Sequence, residues 1–399
     1  MNERDVTPPG VALSDVDEVD LRIEKLVAGG QGLGRCRGVP VFVPRTVPGD
    51  LVRVRLVERR PDYGRAEIVE ILEPASSRRR PPCRHFGTCG GCDLQHIEDE
   101  AQVRFKVAAT LETLRRLAGL EPPAAIDVLA GDAWGYRLRT QLHCRETGSG
   151  GVEVGYHARG SRDLVPIHEC PILVPELEAL ALSLAERLPG SPPRRLDVVV
   201  GMEGGASCAP VVEGLPRGDV SVTVGRWTFE LDARCFFQAH RTLLAPLVEA
   251  VVGAATGGEA FDLYCGVGLF SIPLAERYDR VVAVEGDRVA ARYARRNARR
   301  NRAGGLLVES QAVETWIDGL PEGVERVVVD PPRQGLSTRV REVLRLRAPR
   351  RLTYVSCHAA TLARDLRALR GQYEVERLTL ADLFPQTGHL EVVAQLAAR

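Results

Sequence analysis

Short apolar–polar alternations broken by glycine and proline open the chain. Residues 20–26, 39–43, 50–58 and 65–72 read as strands, with Gly29-Gly30-Gln31-Gly32-Leu33-Gly34 as the turn between the first two. Side chains alternate faces along a strand, so several such runs with tight turns predict a small β-barrel over 19–74. The glycine run precedes strands rather than opening a helix, which excludes a dinucleotide fingerprint. Residues 1–18 are rich in Asp, Pro and Val without periodicity and are expected to be a disordered tail. After a Pro-, Arg- and Cys-rich linker over 75–96, Ile97, Ala101, Phe105, Ala108, Leu111 and Leu114 fall near one face, which predicts a helix over 97–118 packed on the C-terminal domain.

Strands return at 136–144, 152–157, 196–200 and 220–231, so 75–235 reads as a β-rich central domain. Residues 238–252 read as a helix. From there strands at 261–264, 281–285, 326–330 and 352–356 alternate with helices, which predicts a parallel sheet covered on both faces over 236–399. Ligands of such folds sit at the carboxyl ends of the strands. Asp262, Glu285, Asp330 and Cys357 all fall at or just before those ends.

Composition narrows the function. At 399 residues the chain exceeds one ordinary core. It has no run of 18 apolar residues and no apolar signal segment in its polar, acidic first 20 residues, so a cytoplasmic protein with no membrane partner, acting as a monomer, is expected. Formal charge is zero, and Lys25 and Lys106 are the only lysines among the basic residues. Arginine forks suit phosphate and base recognition, so Arg78-Arg79-Arg80 with Arg84, and the helically spaced Arg292, Arg295, Arg296, Arg299, Arg300 and Arg302, are candidate RNA contacts. The second set also fits a solvated helix face.

The ten cysteines are uneven. Cys83, Cys89 and Cys92 lie within ten residues, and Gly90-Gly91 lets the backbone turn closely around a soft metal centre. Cys170, in His168-Glu169-Cys170-Pro171, is the candidate fourth ligand. Four thiolates hold zinc or an iron–sulfur cluster, and the lack of a second zinc-type knuckle favours the cluster. Cys36, Cys144, Cys208, Cys235 and Cys265 stand alone and read as packing residues.

Asp262-Leu263-Tyr264-Cys265-Gly266-Val267-Gly268 is a strand, a glycine turn and the start of a helix, with Glu285 closing the next strand. Gly266 and Gly268 admit a ligand against the backbone, and a strand-end carboxylate can accept both ribose hydroxyls. With no third glycine and no P-loop lysine, S-adenosylmethionine is favoured over NAD or ATP. Asp330-Pro331-Pro332-Arg333 ends an apolar strand where amino-group methyltransferases place an aromatic residue after a similar run. Arg333 in that place disfavours exocyclic-amine methylation.

On these residues the chain resembles the RNA uracil-C5 methyltransferases, in the iron–sulfur branch with an N-terminal OB-like TRAM barrel that modifies large-subunit ribosomal RNA. The resemblance rests on Cys83, Cys89, Cys92 and Cys170, Phe237-Gln238, Asp262 to Gly266, Glu285, Asp330 to Arg333, Ser356-Cys357 and Gly388-His389-Leu390-Glu391. It implies a Rossmann-like S-adenosylmethionine methyltransferase domain behind a central [4Fe-4S] domain. It also implies RNA as partner, Gln238, Tyr264, Gly266, Glu285 and Asp330 as pocket residues, Cys357 as nucleophile and Glu391 as base. His389 is a weaker candidate base. His240 and Leu269 depart from the family pattern and are expected to affect the pocket rather than the covalent step. Uracil C5 is a poor nucleophile until a thiolate adds at C6, so the site is expected to lower the thiol pKa. Transfer RNA is the alternative substrate. A non-catalytic RNA-binding iron–sulfur protein is the alternative of another class, and the presence of both Cys357 and Glu391 speaks against it.

Overall fold

The computed structural model describes Leu13, residues 16–148 and residues 150–399, so most of the tail expected over 1–18 lies outside the described residues. Two compact units are formed. One contains the chain up to Thr110 together with Gln386–His389, and the other contains Leu111–Pro385 with Leu390–Arg399.

In the first unit β1 (Glu18–Arg22), β2 (Lys25–Leu26), β3 (Gly32–Cys36), β4 (Val39–Val43), β5 (Leu51–Arg59) and β6 (Gly64–Glu73) form one sheet in the order β1-β5-β6-β4-β3-β2. The alternation in β5 works as its sequence requires. Val52, Val54 and Leu56 join Leu21, Ile23, Val41 and Val43 in the core. Arg53 and Arg55 point outward to Asp20 (2.9 Å) and Glu18 (2.8 Å). The strand predicted over 20–26 is two strands because the backbone changes partner. Ile23 N–H donates to the Asp50 carbonyl, and Glu24 N–H donates to that of Leu33. Residues 32–34, predicted as turn, begin β3, where glycine is needed because a Cβ on Gly32 would fall within the Thr46 side chain.

The linker is bound to this unit by its arginines. Arg78 pairs at 2.5 Å with the fully buried Asp50 and also donates to the Arg45 carbonyl. Arg79 pairs at 2.5 Å with Asp99 and donates to the Gln95 carbonyl. Both guanidiniums act as struts within this unit, their side chains 15% and 26% exposed. Helix α1 (Asp99–Ala118) follows, and the division between the units falls inside it.

The second unit continues with β7 (Ala125–Leu129), β8 (Arg139–Glu146), β9 (Val152–His157), β10 (Leu164–Pro166), α2 (Pro175–Arg187), β11 (Arg195–Val200) and β12 (Ala206–Ala209). Strands β10-β9-β8-β11-β12 make an antiparallel sheet, on which α2 buries Leu177, Ala181 and Leu184. The strand expected over 220–231 is a hairpin of β13 (Val220–Val224) and β14 (Trp227–Leu231), turned at Gly225, whose φ of 59° favours glycine. The helix expected over 238–252 starts only at α3 (Leu244–Val252), because Phe237 to His240 are buried outside any helix.

Then come β15 (Gly257–Leu263), α4 (Ser271–Leu274), β16 (Tyr278–Val284), α5 (Arg288–Arg300), β17 (Leu306–Glu309), α6 (Val313–Trp316), β18 (Arg326–Val329), α7 (Thr338–Arg347), β19 (Arg351–Ser356), α8 (Ala359–Leu369), β20 (Tyr373–Ala381) and β21 (Glu391–Ala398). These strands and β7 build an eight-stranded sheet in the order β17-β16-β15-β18-β19-β21-β20-β7. The first five are mutually parallel, and β21 runs antiparallel to both neighbours. All four residues of β18 are buried, as a strand covered on both faces demands. The edge strand β7 comes from the stretch assigned to the central domain. Half of the arginine set on and after α5 is engaged within the unit. Arg296 and Arg300 hold Glu230, and Arg295 donates to the Val308 carbonyl.

Candidate active site

Four adjacent parallel strands each place a chemically useful residue one position beyond their last residue; β16, β15 and β18 end in register, and β19 runs two residues further. In sheet order these are Glu285 after β16, Tyr264 after β15, Asp330 after β18 and Cys357 after β19. Three strand spacings separate the first from the last, about 14 Å across the edge. Such an edge has room for an extended nucleoside cofactor at one end and a base at the other.

The Glu285 end is built to receive polar groups. Its carboxylate accepts the Gly266 N–H at Oε2 (2.8 Å) and the Asp287 N–H at Oε1 (2.7 Å). Each oxygen therefore keeps a lone pair for a ligand hydroxyl. Tyr264 sits at φ 65°, a left-handed conformation unusual for a bulky residue, and donates its hydroxyl to Glu314 at 2.8 Å. Gly266 and Gly268 follow, also with positive φ. The helix expected after this turn is the single turn α4. Fully buried Asn297 on α5, which no sequence pattern marked, donates to the Val267 carbonyl (3.1 Å) and so fixes the turn from behind.

Two buried side-chain oxygens of the second unit have no protein partner among the described residues, Gln238 Oε1 and, in β15, Asp262 Oδ1. Asp262 accepts the Ser271 hydroxyl through its other oxygen, and burial pushes its pKa up to about 7. Buried polar atoms are normally satisfied, so both oxygens fit a site completed by ligand donors. The departures from the family pattern lie in packing. His240 stacks on Tyr136 with ring centroids 4.6 Å apart and bonds the Asp132 carbonyl, and Leu269 is buried.

The other end brings Cys357 and Glu391 together although 34 positions separate them in the chain. Strand β19 pairs antiparallel with β21, and Ser356 opposite Val392 is the last registered pair. One further step sets Cys357 against Glu391. The Glu391 side chain is buried, which together with the Asp330 carboxylate pushes its pKa well up, while Arg333 opposes. Asp330 is likewise raised, by burial first and then by Asp262.

Cys357 behaves differently from expectation. Burial raises its pKa above that of a free thiol, and Glu391 and Asp330 add to this. Arg333 opposes by hydrogen-bonding the thiol and by its charge. The free site therefore holds a protonated thiol beside a cation that can receive its thiolate. The Arg333 segment is secured from below. Thr361 donates to the Arg333 carbonyl (3.2 Å), and Leu336 N–H donates to buried Asp365 (2.8 Å), which also accepts Arg341 and the Tyr354 hydroxyl. The sequence placed Arg333 in the right tetrapeptide without revealing that it faces the nucleophile. His389 falls in the segment belonging to the first unit.

The cysteines expected to bind metal divide between the units. Cys83, Cys89 and Cys92 lie on the irregular stretch between β6 and α1, and Cys170 is buried in the second unit. The Gly91 N–H donates to Cys89 Sγ at 3.4 Å, the kind of backbone contact that a thiolate ligand accepts. Among the described residues no group of three or more His, Cys, Asp or Glu side chains is gathered as a metal site. Cys36, Cys144, Cys208, Cys235 and Cys265 are buried. Burial raises the thiol pKa of each, as packing residues should show.

An open parallel sheet with a glycine turn, a strand-end acid and a thiol at its carboxyl edge describes an adenosine-cofactor transferase fold. The same fold is seen in the Pyrococcus abyssi tRNA (uracil-54, C5)-methyltransferase solved with S-adenosyl-L-homocysteine, at a TM-score of 0.73 and 23% identity, covering 95% of this chain and 100% of that one. Residues 217–399 match the tRNA (Uracil-5-)-methyltransferase family model, and residues 15–69 match the TRAM domain. A 23S rRNA (uracil(1939)-C(5))-methyltransferase RlmD of Pseudomonas putida is 32% identical over 95% of this chain and 93% of its own. The enzyme of the same description from Pectobacterium atrosepticum is 34% identical over 92% of this chain and 90% of its own. The chain belongs to the RNA uracil-C5 methyltransferase family, and it is an S-adenosylmethionine-dependent enzyme with an N-terminal TRAM domain. No helix among the described residues is long and apolar enough to cross a membrane.

Proposed function

We propose that the enzyme methylates C5 of a uridine in 23S ribosomal RNA, in the cytoplasm, through a transient covalent bond between Cys357 and uracil C6. The placement of Cys357 and Glu391 on facing ends of β19 and β21 carries this reading. The ribosomal target is supported by the names and near full-length match of the two relatives.

The bound cofactor supplies an electrophilic methyl group. The protein supplies the rest. Cys357, as thiolate beside Arg333, adds to C6 and leaves C5 electron-rich. Once C5 carries both methyl and hydrogen, the Glu391 carboxylate removes that proton. The C6–S bond then breaks, the ring double bond is restored and the thiolate leaves. Burial raises the Glu391 pKa, so once ionised its carboxylate is a stronger base than an exposed one. Gln238, Tyr264, Gly266, Glu285 and Asp330 line the cofactor and base pockets in this scheme. The target base must leave its stack to reach the sheet edge.

Cys83, Cys89, Cys92 and Cys170 are the ligands we assign to a [4Fe-4S] cluster. Their soft donors and the Cys83-to-Cys92 spacing support this, and the TRAM domain is assigned to RNA binding. The cluster has no place in the proton and methyl bookkeeping above.

The decisive test maps 5-methyluridine by mass spectrometry in ribosomal and transfer RNA from cells lacking the gene. Loss of one 5-methyluridine from 23S ribosomal RNA is expected, and loss from transfer RNA alone would overturn the target. Protein purified without oxygen should carry iron and sulfide at about four each, whereas stoichiometric zinc would overturn the cluster. For the cofactor, Glu285→Ala should weaken S-adenosylmethionine binding by about 1.5–3 kcal/mol, roughly tenfold to a hundredfold in Kd by calorimetry. Unchanged affinity would remove Glu285 from the pocket.

A further inference from the structure

The antiparallel sheet of the second unit carries a cavity of about 830 Å³ that shares no residue with the strand-end site. His143 on β8 stands opposite Gly155 on β9, and His157 lies two residues further along. Gly155 has no room for a side chain, since a Cβ there would run into the Val165 backbone on β10. With that position empty, the two imidazoles stack face to face, with centroids 3.6 Å apart and planes at 14°. Burial, and after it the His157 ring, lowers the His143 pKa, and the two stacked rings make a flat, polar floor.

Four arginines surround this floor, and they fall into two kinds. Arg145 is held by Glu153 (2.6 Å) and Arg195 by Asp197 (2.9 Å). Arg162 and Arg194 line the same cavity, and among the described residues neither makes an ion pair or side-chain hydrogen bond. Many of this chain's surface arginines have carboxylate partners, including those on β5 and α5. Arg162 and Arg194 thus bring two guanidiniums without a carboxylate partner to one concave site. Glu146 is the one carboxylate in the lining.

We propose that this cavity binds the phosphodiester backbone of the substrate RNA, with Arg162 and Arg194 as the phosphate forks and the His143–His157 stack as the floor. The inference rests on the enzyme acting on RNA, and it deepens that reading by adding a contact outside the reaction centre. A guanidinium presents paired donors that match two phosphate oxygens, and an open groove admits a continuous strand.

The test uses the full-length holoenzyme and the double variant Arg162→Ala with Arg194→Ala. Both positions are exposed, so melting temperature should be unchanged. The matched control is Arg339→Ala with Arg345→Ala on α7. Binding of a 30-nucleotide oligouridylate is measured against salt. Methylation is measured on ribosomal RNA from cells lacking the gene. The pocket variant should lose roughly tenfold in affinity, and the slope of log K against log salt should shrink by about one to two. Its KM should rise while kcat stays within about twofold of wild type. An unchanged slope, or an equal change in the control, would overturn the site. Wild-type enzyme that methylates no uridine would instead overturn the functional reading. The oligouridylate arm judges the cavity in either case.

Discussion

Cys357→Ala is expected to abolish methylation, by about 10⁴-fold or more, while S-adenosylmethionine binding stays near wild type. The thiol acts on the base and makes no bond to the cofactor, so the two readouts separate. RNA carrying 5-fluorouracil at the target should trap the wild-type enzyme as a covalent adduct, since fluorine at C5 cannot be removed as a proton. The pH dependence has a definite sign. Burial holds the Cys357 pKa above its ordinary value, so thiolate is scarce at neutral pH and kcat/KM should rise from pH 7 into the alkaline range. Arg333 lowers that pKa, so Arg333→Gln should move the rising limb to still higher pH, with each unit of movement lowering the rate at fixed pH by about tenfold. Uridine methylation by Cys357→Ala, or absence of any adduct with fluorinated RNA, would sink the nucleophile assignment.

Glu391→Gln should lower turnover by about 10²–10⁴-fold and leave methylated RNA attached to the protein. The variant keeps the size and burial of the side chain and removes the base, so addition and methyl transfer can occur while release cannot. Denaturing gel electrophoresis with labelled RNA should show the slow-moving adduct on ordinary substrate, and mass spectrometry should find the methyl group within it. A variant that turns over freely would transfer the base role elsewhere, with His389 next in line.

Both predictions concern residues that could be read from the chain, and the reason is positional. Parallel strands with buried faces are apolar runs, so the polar residue that ends each one stands out, as Glu285, Asp330 and Cys357 do. The strands of the first unit were legible for a similar reason, because β4 and β5 alternate cleanly. What stayed hidden depends on partners distant in the chain. A break such as that between β1 and β2 comes from a change of neighbouring strand, which local pattern does not record. Arg78 and Arg79 read as an RNA-binding run, and their pairing with Asp50 and Asp99 could not be read from it. The direction of the Cys357 pKa was misjudged because burial and two nearby carboxylates outweigh one guanidinium. Nothing in the motif states how deeply it will be covered.

The segment Gln386–His389 has a consequence for how the protein is made. Within the first unit, Asp93 and Leu94 N–H groups donate to the Gln386 carbonyl, and the Gln386 side chain bonds Gln102 and Asp99. Gly388 lies against the backbone of Gly29 and Gly30 so closely that a Cβ would not fit. On the ribosome, a unit begun in the first 110 residues therefore waits for residues 386–389 before the amides of Asp93 and Leu94 find their partners. Nascent chains arrested before residue 386 should hold this region in a protease-sensitive state, and chains extended past it should not. A truncation before residue 386 would for the same reason leave a defect at Asp93 and Leu94.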